Sequence, residues 1–359
     1  MIKYIGSKRL LVPHIVRAAK ALGARRVLDL FSGTARVGHA LKREGFEVTA
    51  NDHLTFAYTL AKCYVEADAR KYRADAERLV RHLDEVGRKK PRRGYFTENF
   101  CVKARFFHPK NGARIDAIRE EIARLSLDPT LEAIALVSLM EAADRVDSTV
   151  GVQMAYLKEW APRALDDLKL RVPEILPGPG TAWKMEAKDA AAAFEGDLAY
   201  LDPPYNQHSY MGNYHIWETL VRWDKPETYG VAKKRIDCKA YKSPFNSRKK
   251  IGQAFRGVLE ALRCPYVVVS FNDEGYLPRS FLEAELSRFG HVEVVPIDFP
   301  RYVGAKIGIY NPEGRKVGKV KRLRNIEYLF LAGPEESQVR RAAEAAAGAG
   351  PVQRELFHA

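Results

Sequence analysis

Between residues 10 and 22 the apolar positions Leu10, Leu11, Ile15, Val16 and Ala19 recur at helical spacing opposite a polar side, and Gly23 ends the pattern. That periodicity predicts a short amphipathic helix. The rhythm then changes: RRVLDLF (25–31) reads as a short apolar strand, Gly33 breaks the chain, and residues 35–44 resume a helical pattern closed by Gly45. FEVTAND (46–52) alternates and then ends in an acid. Strand, glycine turn, helix, strand describes a βαβ unit with parallel strands.

From about 56 to 178 helical patterns dominate, at 56–86, 111–126 and 129–146, the last two separated by the breaker Asp128-Pro129. PEILPGPGT (173–181) is a Pro/Gly linker that closes the block. Alternation returns in AWKMEA (182–187), DLAYLD (197–202), PYVVVSFN (265–272), HVEVVPIDF (291–299) and IEYLFLAG (326–333). The pattern predicts an α/β sheet domain formed by 1–55 and 179–333 and split by a helical insertion, 56–178. The tail, 334–359, is rich in Ala, Glu and Gly and is expected to start as a helix and end in disorder.

Composition bounds this picture. The chain has 359 residues, 46% hydrophobic and 29% charged, which is globular and large enough for a full core. Lys plus Arg outnumber Asp plus Glu by 59 to 45, a net charge of +14, and this favours a polyanionic partner or a solubility role. The excess is clustered: RKKPRR at 88–93, eight basic residues against Asp237 in 233–250, and eight against Glu313 in 301–324. One such run is as readily a solvated face, but three favour nucleic acid. Cys63, Cys101, Cys238 and Cys264 form no CxxC pair, so reduced thiols are expected and neither a disulfide framework nor a metal site. No long apolar segment marks a signal peptide or a membrane span, and the expected compartment is the cytoplasm.

Chemistry concentrates at strand ends. In DLFSGTARVG (29–38), Gly33 would let backbone approach a ligand, although any tight βα turn wants a glycine. Asp52 ends the second strand 23 residues after Asp29, where an acid accepts from a ribose diol; it would serve equally as a turn or capping acid. The first glycine of the dinucleotide fingerprint is absent, which argues against a pyrophosphate and fits S-adenosylmethionine, a nucleoside without phosphate. Asp189 in AKDAAAAF would accept from the cofactor's adenine amine or cap the helix that follows. DPPY (202–205) is the sharpest signal. An acid at the tip of a buried strand is costly unless it is paired or working. Pro203 has lost its N–H but keeps a carbonyl, so Asp202 and Pro203 offer two adjacent acceptors to a planar amine, with Pro204 stiffening the turn and Tyr205 placed to stack on the ring.

KYIGSK (3–8), DLFSGT (29–34), Asp52 and DPPY (202–205), in that order, resemble the N6-adenine DNA methyltransferases of the Dam-like D12 class, and the likeness continues through NQHSYMGNYHIWE (206–218) and SFNDEGY (270–276). The resemblance implies a Rossmann-like, S-adenosylmethionine-dependent methyltransferase sheet, mostly parallel with an antiparallel last strand, and a helical insertion for target recognition. It implies that Tyr4, Gly6 and Lys8 close the methionine end of the cofactor, with Lys8 also near the target base. Asp29, Phe31, Ser32, Gly33 and Thr34 would line the cofactor, Asp52 would bind the ribose and Asp189 the adenine amine. Asp202, Pro203, Pro204 and Tyr205 would be catalytic, acting on an adenine flipped out of double-stranded DNA. Arg105, Lys110, Arg114, Lys242, Arg301, Lys306, Lys321 and Arg322 are the candidate DNA contacts, and a cognate restriction endonuclease is an expected partner. An RNA methyltransferase acting on an exocyclic amine, or a non-catalytic DNA-binding protein on the same fold, are the rival readings. A glutamine-amide methyltransferase would place Asn before Pro-Pro-Tyr, where this chain has Asp202.

Overall fold

A computed structural model describes residues 1–149, 151–154, 159–300, 309–310, 316–318 and 324–348. The chain divides into two compact bodies, one made of Ile5–Phe31, Ala187–Gln207 and the chain from Pro244 onward, the other of Met1–Tyr4, Ser32–Glu186 and His208–Ser243. Elements are numbered in chain order through both.

The first body is built on five strands: β1 (Arg26–Asp29), β4 (Leu198–Leu201), β7 (Tyr266–Asn272), β8 (His291–Pro300) and β11 (Arg324–Gly333). They are hydrogen-bonded in the order β1-β4-β7-β11-β8. β1, β4 and β7 run parallel, with Leu28 opposite Ala199 and Ala199 opposite Val267. β11 is antiparallel to both neighbours, with Glu327 opposite Asn272 on one side and Ile297 on the other. Every residue of β4 and β7 is buried, as a parallel strand covered on both faces requires, which is why LAYL and YVVVSFN lack a clean polar alternation. Around the sheet lie α1 (Val12–Ala21), α7 (Ala187–Ala193), α10 (Ile251–Ala261), α11 (Arg279–Leu286) and α12 (Glu336–Ala347), and β9 (Ile309–Tyr310) pairs antiparallel with β10 (Lys316–Gly318). The start of the tail is therefore more than a frayed end. α12 packs on α1, where His14 Nδ1 lies 2.7 Å from the Ala346 carbonyl. Residues 349–359, where disorder was expected, lie outside the described residues.

The second body contains the parallel pair β2 (Glu47–Asn51) and β3 (Gly180–Trp183), together with α2 (Arg36–Arg43), α3 (Thr55–Ala61), α4 (Ala69–Lys89), α5 (Pro109–Arg124) and α6 (Pro129–Arg145). α8 (Tyr210–Asn213), α9 (His215–Arg222) and the short antiparallel pair β5 (Thr228–Tyr229) and β6 (Lys234–Arg235) complete it. The single helical run expected at 56–86 is two helices. After α3 the chain widens into a π turn at Lys62–Glu66 and becomes extended at Ala67, and Asp68 then caps α4 by accepting the Arg70 N–H at 2.9 Å. The third strand also begins and ends earlier than AWKMEA suggested, because the alanines from Ala187 onward continue as helix. Lys3, by its sequence an ordinary surface charge, ties the chain to α6, its Nζ 2.7 Å from Asp147 Oδ1 and its N–H 3.0 Å from Asp144 Oδ2.

Parallel strands linked by helices, antiparallel last strands and a long helical block make this a mixed α/β, Rossmann-like fold. No helix among the described residues is long and apolar enough to cross a membrane.

Candidate active site

DPPY follows β4 at the carboxyl edge of the parallel strands, where open α/β sheets expose ligand-binding groups. The Asp202 carboxylate is anchored through one oxygen. Lys8 Nζ approaches Oδ1 at 3.0 Å and the Ser270 hydroxyl donates to the same atom at 3.2 Å. Ser270 has a single proton to give, so the Tyr200 phenol, 2.8 Å from its Oγ, is the donor in that contact. Among the described residues nothing bonds to Asp202 Oδ2 or to the Pro203 carbonyl. Two neighbouring acceptors thus stand open while the carboxylate that carries one of them is held fast.

Lys8 enters this corner from the far end of the chain. Gly6 takes a φ of +75°, turning the chain into the short helical turn Lys8–Leu10. The lysine is buried, and its ammonium lies between Asp202 and Glu327 Oε1, the latter at 2.5 Å. Glu327 Oε2 accepts from the Asn272 amide at 3.0 Å. Burial alone would lower the Lys8 pKa, but the carboxylates of Asp202 and Glu327 outweigh it and hold the ammonium charged. Burial pushes Asp202 up to about 6, with Glu327 adding to the rise and Lys8 opposing it. Tyr205 leans on Phe271 with ring centres 5.6 Å apart, and burial pushes its phenol up to about 12. The loop behind it is pinned by the Tyr276 N–H on the Tyr205 carbonyl at 2.9 Å and by the Asn246 amide on the Asn206 carbonyl at 2.7 Å.

In the second body the glycine turn is equally built. Gly33 has a φ of +51°, and its N–H donates to Asp52 Oδ2 at 3.0 Å. Asp52 Oδ1 accepts the Leu54 N–H at 3.0 Å, so this acid ties the turn to the start of α3. Burial raises its pKa. The Tyr4 ring covers Gly33, where an added Cβ would come within 3.3 Å of it, and stacks on Tyr214 and Tyr210 at 4.6 and 5.1 Å. Ser32 and Thr34 are buried, and the Ser32 hydroxyl has no partner among the described residues. A buried hydroxyl without a partner is costly, and a ligand atom would satisfy it.

A family model of the D12 class N6 adenine-specific DNA methyltransferases matches residues 4–263. The chain belongs to this family. Among similar proteins, the Type II methyltransferase M.FokI of Planomicrobium okeanokoites is 32% identical over 314 residues, covering 82% of this chain and 48% of that protein. The modification methylase StsI of Streptococcus sanguinis is 28% identical over 319 residues, covering 84% and 48%. The Type II methyltransferase M.NlaIII of Neisseria lactamica is 27% identical over 319 residues, covering 84% and 93%. The chain therefore spans about half the length of the first two.

The other candidate residues lie in varied surroundings. Asp29 is buried at the end of β1, and Phe31 meets Phe245 edge-on at 5.2 Å. Asp189 lies exposed in the first turn of α7, inside the helix and not as its cap. Lys8, expected at the methionine end and near the target base, lies on the DPPY acid, its Nζ 3.0 Å from Asp202 Oδ1. Lys110 and Arg114 each reach Asp167 at 3.1 Å, and Arg105 lies 5.2 Å over the Trp160 ring, so all three have structural partners within the second body. Lys242 is exposed. Arg301, Lys306, Lys321 and Arg322 lie outside the described residues. Sequence reasoning missed Ser270, Asn272 and Glu327; the available signal was polar residues at the end of an otherwise apolar strand and one acid in NIEYLFLAG.

Proposed function

We propose that the chain is a site-specific DNA methyltransferase that moves the methyl group of S-adenosylmethionine to adenine N6 in double-stranded DNA. The observation that carries this reading is the open acceptor pair, Asp202 Oδ2 and the Pro203 carbonyl, beside a carboxylate tethered through its other oxygen. A planar amine has two N–H donors, and this pair suits one amine. Hydrogen bonds from N6 to both acceptors would draw the nitrogen toward a tetrahedral shape and free the lone pair otherwise delocalised into the ring. Positive charge then develops on N6 facing an ionised Asp202, a preorganised electrostatic stabilisation. The base has to leave the stack to present N6, at a cost of a few kcal/mol, and Tyr205 is placed to hold its face.

The residues proposed to hold the cofactor are Tyr4, Gly6, Lys8, Asp29, Phe31, Ser32, Gly33, Thr34, Asp52 and Asp189, and the unpartnered Ser32 hydroxyl supports a polar ligand at this turn. When bound, S-adenosylmethionine supplies an electrophilic sulfonium methyl. No protein nucleophile is required. Burial pushes Cys238 up to about 11 and Cys264 to about 12, and raises Cys63 and Cys101 as well, so none of the four thiols is poised as a thiolate. We assign target recognition to the helical insertion, 56–178. The names of the relatives, modification methylase and Type II methyltransferase, support a cognate restriction endonuclease as partner. With DNA as substrate, the working compartment is the cytoplasm.

The test is to express the chain and an Asp202→Ala variant in a host without adenine methylation and to map N6-methyladenine across DNA and RNA. Methylated adenines confined to one DNA sequence, and absent with the variant, are expected. Unmethylated DNA from a soluble, cofactor-binding wild type would sink the reading, and methylated RNA in its place would hand it to the rival.

A further inference from the structure

Lys8 is shared between two acids, and only one of them belongs to DPPY. Glu327 is the lone acid of β11 and is buried, with 3% of its side chain exposed. A buried carboxylate on a strand is expensive unless it is paired. Here it is paired fully: Oε1 with the Lys8 ammonium at 2.5 Å and Oε2 with the Asn272 amide at 3.0 Å. Asn272 is itself fixed, its Oδ1 accepting the Glu274 N–H at 2.9 Å.

We propose that Glu327 is a positioning residue that sets the net charge of the catalytic corner, holding Lys8 so that the lysine tethers Asp202 without neutralising it. The arithmetic is simple. Lys8 with Asp202 alone makes a neutral pair, and a neutral pair offers little to the cation that forms on N6. Glu327 returns the cluster to one net negative charge. Tyr200 and Tyr205, the other titratable groups facing Lys8 and Asp202, are kept neutral by burial, and the Asp29 carboxylate adds to the rise of the Tyr200 phenol. The division of labour follows from geometry: both tethers of Asp202 end on Oδ1, and the charge Glu327 restores is expressed at the open Oδ2.

This inference rests on the adenine-methylation reading, so wild-type methyl transfer is its baseline, and a wild type without transfer counts against that reading alone. The experiment is single-turnover methyl transfer to DNA across pH for the wild type, Glu327→Gln, Lys8→Met and the double variant. Single turnovers keep product release from masking the chemistry. With Glu327→Gln the acid limb moves to lower pH by about one unit, because a negative neighbour of Asp202 is gone. At the same time the plateau rate falls about tenfold or more, because the restored negative charge is gone. Lys8→Met moves the limb to higher pH, and the double variant brings it back toward the wild-type position. Should Glu327→Gln fail to fold, the double variant against Lys8→Met reads the same charge, with the double variant's limb lower by about one unit. A lowered plateau with an unmoved limb would make Glu327 merely structural and overturn the proposal, as would a limb that moves the same way in both single variants.

Discussion

Asp202 carries a pH dependence of its own. Its carboxyl is held up at about 6, first by burial and then by Glu327, against the pull of Lys8. In the proposed reaction the ionised form is the one that accepts and stabilises, so activity should be complete above that pH and lost as pH falls through it. Below about pH 6 the single-turnover rate should drop roughly tenfold per unit; a rate flat down to pH 4.5 would remove Asp202 from this role. Gly33 supplies a second single-residue expectation. An L side chain at its φ of +51° costs about 1–2 kcal/mol, and the new Cβ would press within 3.3 Å of a Tyr4 ring already stacked on two others. Gly33→Ala should therefore lower the melting temperature by several degrees and weaken methyl-donor binding, measured by calorimetry; unchanged donor affinity would put the cofactor elsewhere. At this scale legibility followed sequence distance. The DPPY acceptors are neighbours in the chain and were readable from rotamer-free chemistry alone. The Lys8–Glu327 pair joins residues 319 apart, and no local pattern announces which buried acid a lysine will meet.

Among the elements, α5 shows how the helical block is fastened. Asp116, buried on that helix, takes the N–H groups of Gly94, Phe96 and Thr97 and the Thr97 hydroxyl, at 2.6–2.9 Å. It thereby caps the start of the π-helical segment Thr97–Lys103 from a different element. Asp116→Ala would leave these donors buried and unpaired, and unfolding free energy should fall by roughly 3 kcal/mol or more. Denaturant titration measures it, and a loss under about 1 kcal/mol would mean that water replaces the carboxylate. Asp116→Asn should recover only part, since an amide presents one acceptor oxygen where the carboxylate presents two. Bonds of this kind are what the periodicity could not supply. Hydrophobic rhythm located the strands around DPPY and the helices of the insertion, because those faces are buried and period reports burial. It ran through Ala67-Asp68 without stopping, because a break made by an acidic cap and no Gly or Pro leaves the apolar pattern intact. It also left α12 as a partial helix, since alanines say little about where a helix docks.

Across the whole molecule the net charge of +14 separates into working and structural parts. In the 233–250 run, Arg235 is buried against Asp224 and Asp237 at 2.7 and 2.9 Å, so that cation holds the fold. The RKKPRR run at the end of α4 differs: Arg88, Lys90, Arg92 and Arg93 are exposed and form no ion pair among the described residues. Unpaired cations need break no ion pair to turn toward phosphates, and each phosphate neutralised releases counterions and steepens the salt dependence by about 0.9 per contact. Replacing Lys90, Arg92 and Arg93 with alanine should therefore weaken binding to all duplexes alike and flatten the log-log salt slope by about 2–3. The methylated sequence should stay the same, because phosphate contacts position the protein and base contacts specify. Fluorescence anisotropy on specific and random duplexes from low to high salt measures the slope, and methylation mapping reads the site. An unchanged slope would make the run a solvated face. A changed recognition sequence would move base contacts into it, and the insertion's remaining surface would lose its claim to the specificity. Arg235→Ala is the contrasting control: it removes one positive charge from the same total but should act through loss of folded protein, because it leaves Asp224 and Asp237 without their buried partner.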